Sequence, residues 1–353
     1  MNTVVRILVM LAASAAAVWF INRSAGNTTP TETGPRLVAS TQRSMGAEAR
    51  LTAWTADEKA ARSAFDDAFR ELERLESLMS TWRAGSDLVR LNEAAGKQPV
   101  PVSQEVFDAL RAARDFGDTT SGAFDVTFAA LADVWKFDHD QDNKVPSAAD
   151  IQQRLPLVGY KGLVLEASAR TAYLPRAGMR AHLGGIGKGF AVDRMASLLR
   201  ERGLTTFMIQ FGGDMYMAGM PEARPWRVGI QDPRGEGNKS FATVELIDSA
   251  VSTSGDYERF FLKDGVRYHH IIDTRTGQPA RGSRSVTIVA DTSITADALS
   301  TGVFVMGPAE GMALIERLPN VEGVIVSDRN EVLVSSGLKG RLTILSPPTD
   351  ASP

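Results

Sequence analysis

The chain has no cysteine among its 353 residues. That absence excludes disulfides, thiol nucleophiles, cysteine metal sites and lipid attachment through cysteine, and it suits an oxidising compartment without requiring one. Histidine is scarce, with four in all, and the HExxH zinc pattern does not occur. Basic charge is not in excess either. A net charge of −3 and a pI near 5.9 leave no global positive field, so nucleic acid is not expected as a partner and any phosphate must be gripped locally. The N-terminal apolar run, Ile7 to Ile21 after Arg6, falls short of the roughly 20 residues of a spanning helix. It fits a signal-peptide core, with an uncleaved anchor as the alternative. The protein is therefore expected to be exported, either periplasmic or anchored at the inner membrane and facing the periplasm.

What is present supports a packed core, since 43% of residues are hydrophobic. Composition divides the chain into a signal peptide or anchor at 1–25, a flexible linker at 26–41 rich in Ser, Thr, Gly and Pro, one domain at 42–345, and a disordered tail at 346–353. Within the domain, apolar spacing predicts helices from Asp57 to Ser77 and from Gln104 to Gly117, and strands at Phe207–Phe211, Ser249–Thr253 and Ser285–Ala290. The fold class is α/β in the mixed α+β sense: a single two-lobed domain of mixed sheets flanked by helices.

Three stretches carry chemistry. In Ile294–Gly307, helical winding places Asp297, Ser300 and Thr301 at i, i+3 and i+4 on one face. Those oxygens suit a hard cation such as Mg²⁺ better than zinc; the structural reading is a buried helix whose hydroxyls bond back to the preceding turn. Leu183-Gly-Gly-Ile-Gly-Lys-Gly189 opens another helix, whose free N–H groups favour phosphate, although neither a Walker nor a dinucleotide-fold pattern fits. Close packing of strand and helix explains the glycines equally well. His269 and His270 are adjacent on a strand, so at most one can face a given cleft. Asp138, Asp140 and Asp142 begin like a calcium loop, but Asn143 and Ala149 stand where Gly and Glu belong, which makes the segment an acidic surface loop. Asp214, after Gly212-Gly213, is read as bracing the glycine turn, with contact to substrate as the alternative.

Taken together, eight ordered motifs resemble the FAD:protein FMN transferase (ApbE) family. They are Met45-Gly46, Ser80-Thr-Trp-Arg83, Gly122-Ala-Phe-Asp125, Leu183 to Asp193, Gly212-Gly-Asp214, Ser254-Gly-Asp-Tyr257, His270-Ile-Ile-Asp273 and Thr295-Ala-Asp-Ala-Leu-Ser-Thr301. The resemblance spans roughly Met45 to Leu345. It implies Mg²⁺-dependent cleavage of FAD, movement of its FMN moiety to a Thr or Ser hydroxyl of an exported or membrane-bound acceptor protein, and release of AMP. It also implies that Asp297 and Thr301 hold the metal, with Ser300 and a backbone carbonyl near Gly185, and that His270 takes the hydroxyl proton. Met45, Trp82, Ala123, Phe124, Asp125, Lys188 and Ile271 would contact FAD, as would position 182, where His182 replaces the usual Asp. Two alternatives use the same residues: an FAD pyrophosphatase giving FMN and AMP, and a non-catalytic FAD-binding protein.

Overall fold

The computed structural model describes residues 34–137, 140–237 and 239–351. The expected leader and most of the linker lie outside them, as does Asp138. Among the described residues no helix is long and apolar enough to cross a membrane. The residues from Arg36 onward form one unit.

Its frame is an eight-stranded sheet in which every pairing is antiparallel. Across it run β1 (Arg36–Ser44), β2 (Ala47–Thr55), β3 (Phe207–Phe211), β4 (Asp214–Ala218), β7 (Ser249–Gly255), β10 (Ser283–Ala290), β11 (Glu322–Ser327) and β12 (Val332–Val334). A second sheet of β5 (Trp226–Gln231), β6 (Ser240–Leu246) and β13 (Leu342–Ile344) covers one face. Helices α1 (Glu58–Met79), α2 (Gln104–Thr119), α3 (Gly187–Glu201), α4 (Ser293–Met306) and α5 (Pro308–Ile315) supply the other layer.

Strand β10 shows how the layers form. All eight of its residues are buried, because alternate side chains point to opposite faces and both faces are covered. Val286 and Ile288 enter the helix-side core, whereas Val289 joins Val228, Val244 and Val251 under the small sheet. Helix α1 buries Ala61, Phe65, Phe69, Leu72 and Leu75 at helical spacing, and the Asp57 side chain caps it by accepting from the Ala60 N–H.

Two boundaries differ from the sequence reading. The linker was expected to reach Thr41, but β1 begins at Arg36 and pairs with β2 along its whole length. It is an edge strand that buries mainly Val38 and Ser44, so its polar, solvated residues give no apolar period. The tail was expected to be disordered from 346, yet Thr349 donates its N–H and hydroxyl to the Asp232 carboxylate, and Asn330 donates to the Pro348 carbonyl. Here polar side chains order the segment, and hydrophobicity alone does not register them.

A separate hairpin, β8 (Phe260–Lys263) and β9 (Val266–His269), stands outside both sheets. An aromatic stack holds it: Tyr268 lies on Trp135 and Phe261, at 5.8 and 5.3 Å between centroids, and Phe261 lies on Phe137. Trp135 is fixed in turn by its indole N–H, which donates to the Gly277 carbonyl at 2.7 Å.

Candidate active site

The site is built where α3 meets α4. A Cβ on Gly189 would lie 2.3 Å from the Ser293 carbonyl oxygen and 2.8 Å from Asp297 Cβ, so only glycine permits this approach. Thr292, at the N-cap of α4, offers no side-chain bond to the helix N–H groups. Asp193, from α3, does this instead, accepting from Ser293 N at 2.8 Å and Ile294 N at 2.9 Å.

One turn further along α4, the buried Asp297 accepts a single backbone bond, from Gly189 N at 2.9 Å. Lys188 Nζ is 3.9 Å from its other oxygen and forms a closer ion pair with Asp214. Burial, reinforced by the Asp214 carboxylate, pushes the Asp297 carboxyl well above the usual range against the pull of Lys188. Burial opposes the Lys188 charge, but Asp214 and Asp297 outweigh it and hold the ammonium protonated. Asp214 is fully buried and its Oδ1 has no hydrogen-bond partner. Its expected role as brace of the glycine turn is thus corrected: its carboxylate serves Lys188, a partner 26 residues away that local sequence does not reveal.

Hydroxyls line the adjoining wall. Ser254 Oγ lies 2.9 Å from Ser300 Oγ and 3.2 Å from Thr301 Oγ1. Ser300 also donates back to the Asp297 carbonyl at 2.9 Å, so the bonding expected of a purely structural serine is present here. Thr301 is the more open hydroxyl. A Cβ on Gly185 would sit 3.2 Å from Thr301 Oγ1 and 3.2 Å from the Phe124 ring, which places the glycine backbone directly against this face. The local sign of Ser254's place here is its position at the head of Ser254-Gly-Asp-Tyr257. Among the described residues no group of three His, Cys, Asp or Glu side chains could hold a metal, so any ion beside Asp297 must complete its shell with hydroxyl and backbone oxygens or with oxygens from outside the chain.

The adjacent histidines diverge as strand alternation requires. His269 is buried, with Nε2 2.9 Å from the Ala280 carbonyl, and burial pulls its pKa down to about 4. His270 is half-buried, and its Nδ1 lies 3.3 Å from the Arg259 carbonyl. A proton on Nδ1 satisfies that carbonyl and leaves Nε2 as the free lone pair. Burial, followed by the charge of Arg259, holds the ring pKa well below the ordinary histidine value, so the imidazole is neutral at pH 7.

The remaining positions fall into two groups. Phe124 reaches the glycine segment, and the Met45-Gly46 turn leads to Ala47, whose Cβ neighbours Gly212 beside Lys188. Trp82 presents its ring to solvent on the loop after α1, at 66% exposure. Asp125 is consumed internally: its carboxylate accepts from Thr127 N, Thr127 Oγ1 and Tyr160 N, and so braces the loop bearing Ala123 and Phe124. Ile271 is packed in the core, and its carbonyl accepts from Ala280 N. His182 Nδ1 accepts from Gly184 N at 2.8 Å, and a Cβ on Gly184 would strike its ring at 2.6 Å. The imidazole thus caps the glycine turn, as a carboxylate acceptor could.

The ApbE family model matches residues 45–325. A FAD:protein FMN transferase of Treponema pallidum is 35% identical over 298 residues, covering 80% of this chain and 82% of that protein. One from Vibrio cholerae is 33% identical over 289 residues, covering 80% and 85%. Among solved structures, the ApbE protein of Thermotoga maritima superposes with a TM-score of 0.80 at 31% identity, covering 87% of this chain and 99% of that one. The flavin transferase ApbE of Vibrio cholerae gives 0.78 at 29% identity, with the same coverage. The chain therefore belongs to the ApbE family, and as a member it is a flavin transferase.

Proposed function

We propose that the protein moves the FMN moiety of FAD onto a Thr or Ser hydroxyl of an acceptor protein and releases AMP, with Mg²⁺, outside the cytoplasm. The observation that carries this reading is the contact between the Asp297/Thr301 face of α4 and the backbone of Gly185 and Gly189. Mg²⁺ fits the donors present: a buried carboxylate left short of positive charge, a nearby hydroxyl and glycine carbonyls, all hard oxygens. Asp297 and Thr301 would hold it with Ser300 and a carbonyl near Gly185, and when bound it supplies neutralisation of the diphosphate and polarisation of phosphorus.

The chain's own groups do the rest. Lys188, kept charged by its carboxylates, faces the incoming diphosphate as a cation. His270 Nε2 accepts the proton of the acceptor hydroxyl as its oxygen bonds to the FMN phosphorus; the bridging P–O bond breaks and AMP departs with that oxygen. A neutral imidazole is the form this step needs.

Incubation with FAD and Mg²⁺, with and without a threonine-bearing acceptor, tests the reading by following AMP, free FMN and covalent flavin fluorescence. AMP matched by flavin on the acceptor is expected. Free FMN with no labelled acceptor would identify a pyrophosphatase, and retained FAD without AMP a binding protein. His270→Ala should slow transfer by about 10²–10⁴. An unaltered rate and pH profile would remove His270 as the base.

A further inference from the structure

His269 takes no part in the chemistry described above, yet its ring is engaged at both nitrogens. The Ala280 carbonyl, 2.9 Å from Nε2, can only accept, and the Ile271 N–H, 3.3 Å from Nδ1, can only donate. One form of imidazole meets both demands, the neutral tautomer with its proton on Nε2. The Ala280 N–H donates in turn to the Ile271 carbonyl at 2.9 Å. Three hydrogen bonds therefore close a ring through His269, Ala280 and Ile271. All three residues are buried, so water cannot take the place of a bond that is lost.

This ring of bonds grips the backbone that carries His270. Ile271 N belongs to the peptide that follows His270, so the His269 side chain fixes the far end of that residue. The near end is fixed by the Arg259 carbonyl, which accepts from His270 N at 3.1 Å and lies 3.3 Å from His270 Nδ1. The His269 ring also meets Phe304 edge-on, at 5.4 Å between centroids and 78° between planes. Phe304 is fully buried on α4, one turn beyond Thr301. A single imidazole thus holds the His270 backbone and packs against the helix that bears Asp297 and Thr301.

We propose that His269 is a positioning residue for the transfer: through its Nε2–H tautomer it clasps the peptide after His270 and holds the proton acceptor in place relative to the Asp297/Thr301 face. The inference rests on the reading of His270 as the base. A general base works only within hydrogen-bond reach of the proton it takes, and a displacement of about 1 Å costs about 10²-fold in rate. The clasp therefore acts on catalysis through His270, without itself touching substrate.

Two measurements on the full-length protein test this. With four histidines in the chain, ¹⁵N-histidine spectra resolve each ring. The signal lost in His269→Asn should show a proton on Nε2 and none on Nδ1 at pH 7, and the opposite tautomer overturns the proposal. The second measurement is a double-mutant cycle on FAD-dependent AMP release to a threonine-bearing acceptor. His269→Leu keeps an apolar side chain against Phe304 and removes both ring bonds. Its kcat should fall about 10–100-fold, with KM for FAD within about threefold of wild type because the Ala280–Ile271 bond survives. His269→Asn, whose Oδ1 stands near the place of Nδ1 and can accept from Ile271 N, should restore most of the loss. In a His270→Ala background His269→Leu should have no further effect, since nothing remains to be positioned. An equal loss in both backgrounds makes His269 a general support of the fold and overturns the proposal, as does a wild-type kcat in His269→Leu. Should His269→Leu melt early, His269→Gln replaces it in the cycle: its amide reaches Ala280 but offers no acceptor at the place of Nδ1, and the same non-additivity is expected. An unchanged rate in His270→Ala sinks the reading of His270 as the base, whereas a slow His270→Ala with an additive loss at His269 sinks the positioning role alone.

Discussion

Asp193 and Asp297 both bind backbone N–H groups across the α3–α4 interface, yet they are finished to different degrees. Asp193 has two donors, Ser293 N and Ile294 N, and closes the N-terminus of α4. Asp297 has one, Gly189 N, with a lysine shared with Asp214 and an orphaned Asp214 oxygen nearby. Burial raises the pKa of both carboxyls, but at Asp193 the two N–H donors oppose it, whereas at Asp297 the Asp214 carboxylate adds to it. The first carboxylate completes the fold. The second is left incomplete, which is how a group looks when it awaits a ligand.

The largest effect that would sharpen this contrast is at Asp297. Asp297→Ala should abolish Mg²⁺-dependent AMP release, while the metal-free protein should melt within about 1 kcal/mol of the wild type, because an ill-satisfied buried carboxyl is removed. Full turnover at low magnesium, or a large loss of metal-free stability, would erase the distinction. Asp193→Ala should do the reverse. Orphaning two helix-start N–H groups should cost about 2–4 kcal/mol in a denaturant titration, with FAD cleavage persisting in whatever fraction stays folded.

The smallest effect separates the two histidines. His269 is held near pKa 4 in the fold, below its ordinary value of 6.5, so its contribution to stability is fully present above about pH 6.5 and is lost as pH falls towards 4. That loss should reach roughly 3 kcal/mol, and His269→Gln should flatten this part of the stability profile. An identical acid slope in wild type and variant would show that His269 is not the group responsible.

Much of the site could be read from local spacing. The period of 3.6 placed Asp297, Ser300 and Thr301 together, and the glycine run marked the place where α3 approaches α4. Strand alternation separated His269 from His270. What could not be read is long in sequence: Asp193 lies 100 residues from Ser293, and Lys188 lies 26 from Asp214. Pairings of this kind depend on how helices dock, and no local period encodes them. Edge strand β1 and the Thr349–Asp232 contact escaped for a related reason, since polar bonding orders both segments and a search for apolar periods passes over them.

Although the β8–β9 hairpin hangs from an aromatic stack and is not woven into the eight-stranded sheet, its last residue, His269, lies edge-on against Phe304 of α4 at 5.4 Å between ring centroids, which ties the segment entering His270 to the helix that bears Asp297. Substitutions at the exposed hairpin tip, beyond this contact, can therefore accumulate without disturbing the sheet and helices that position Asp297.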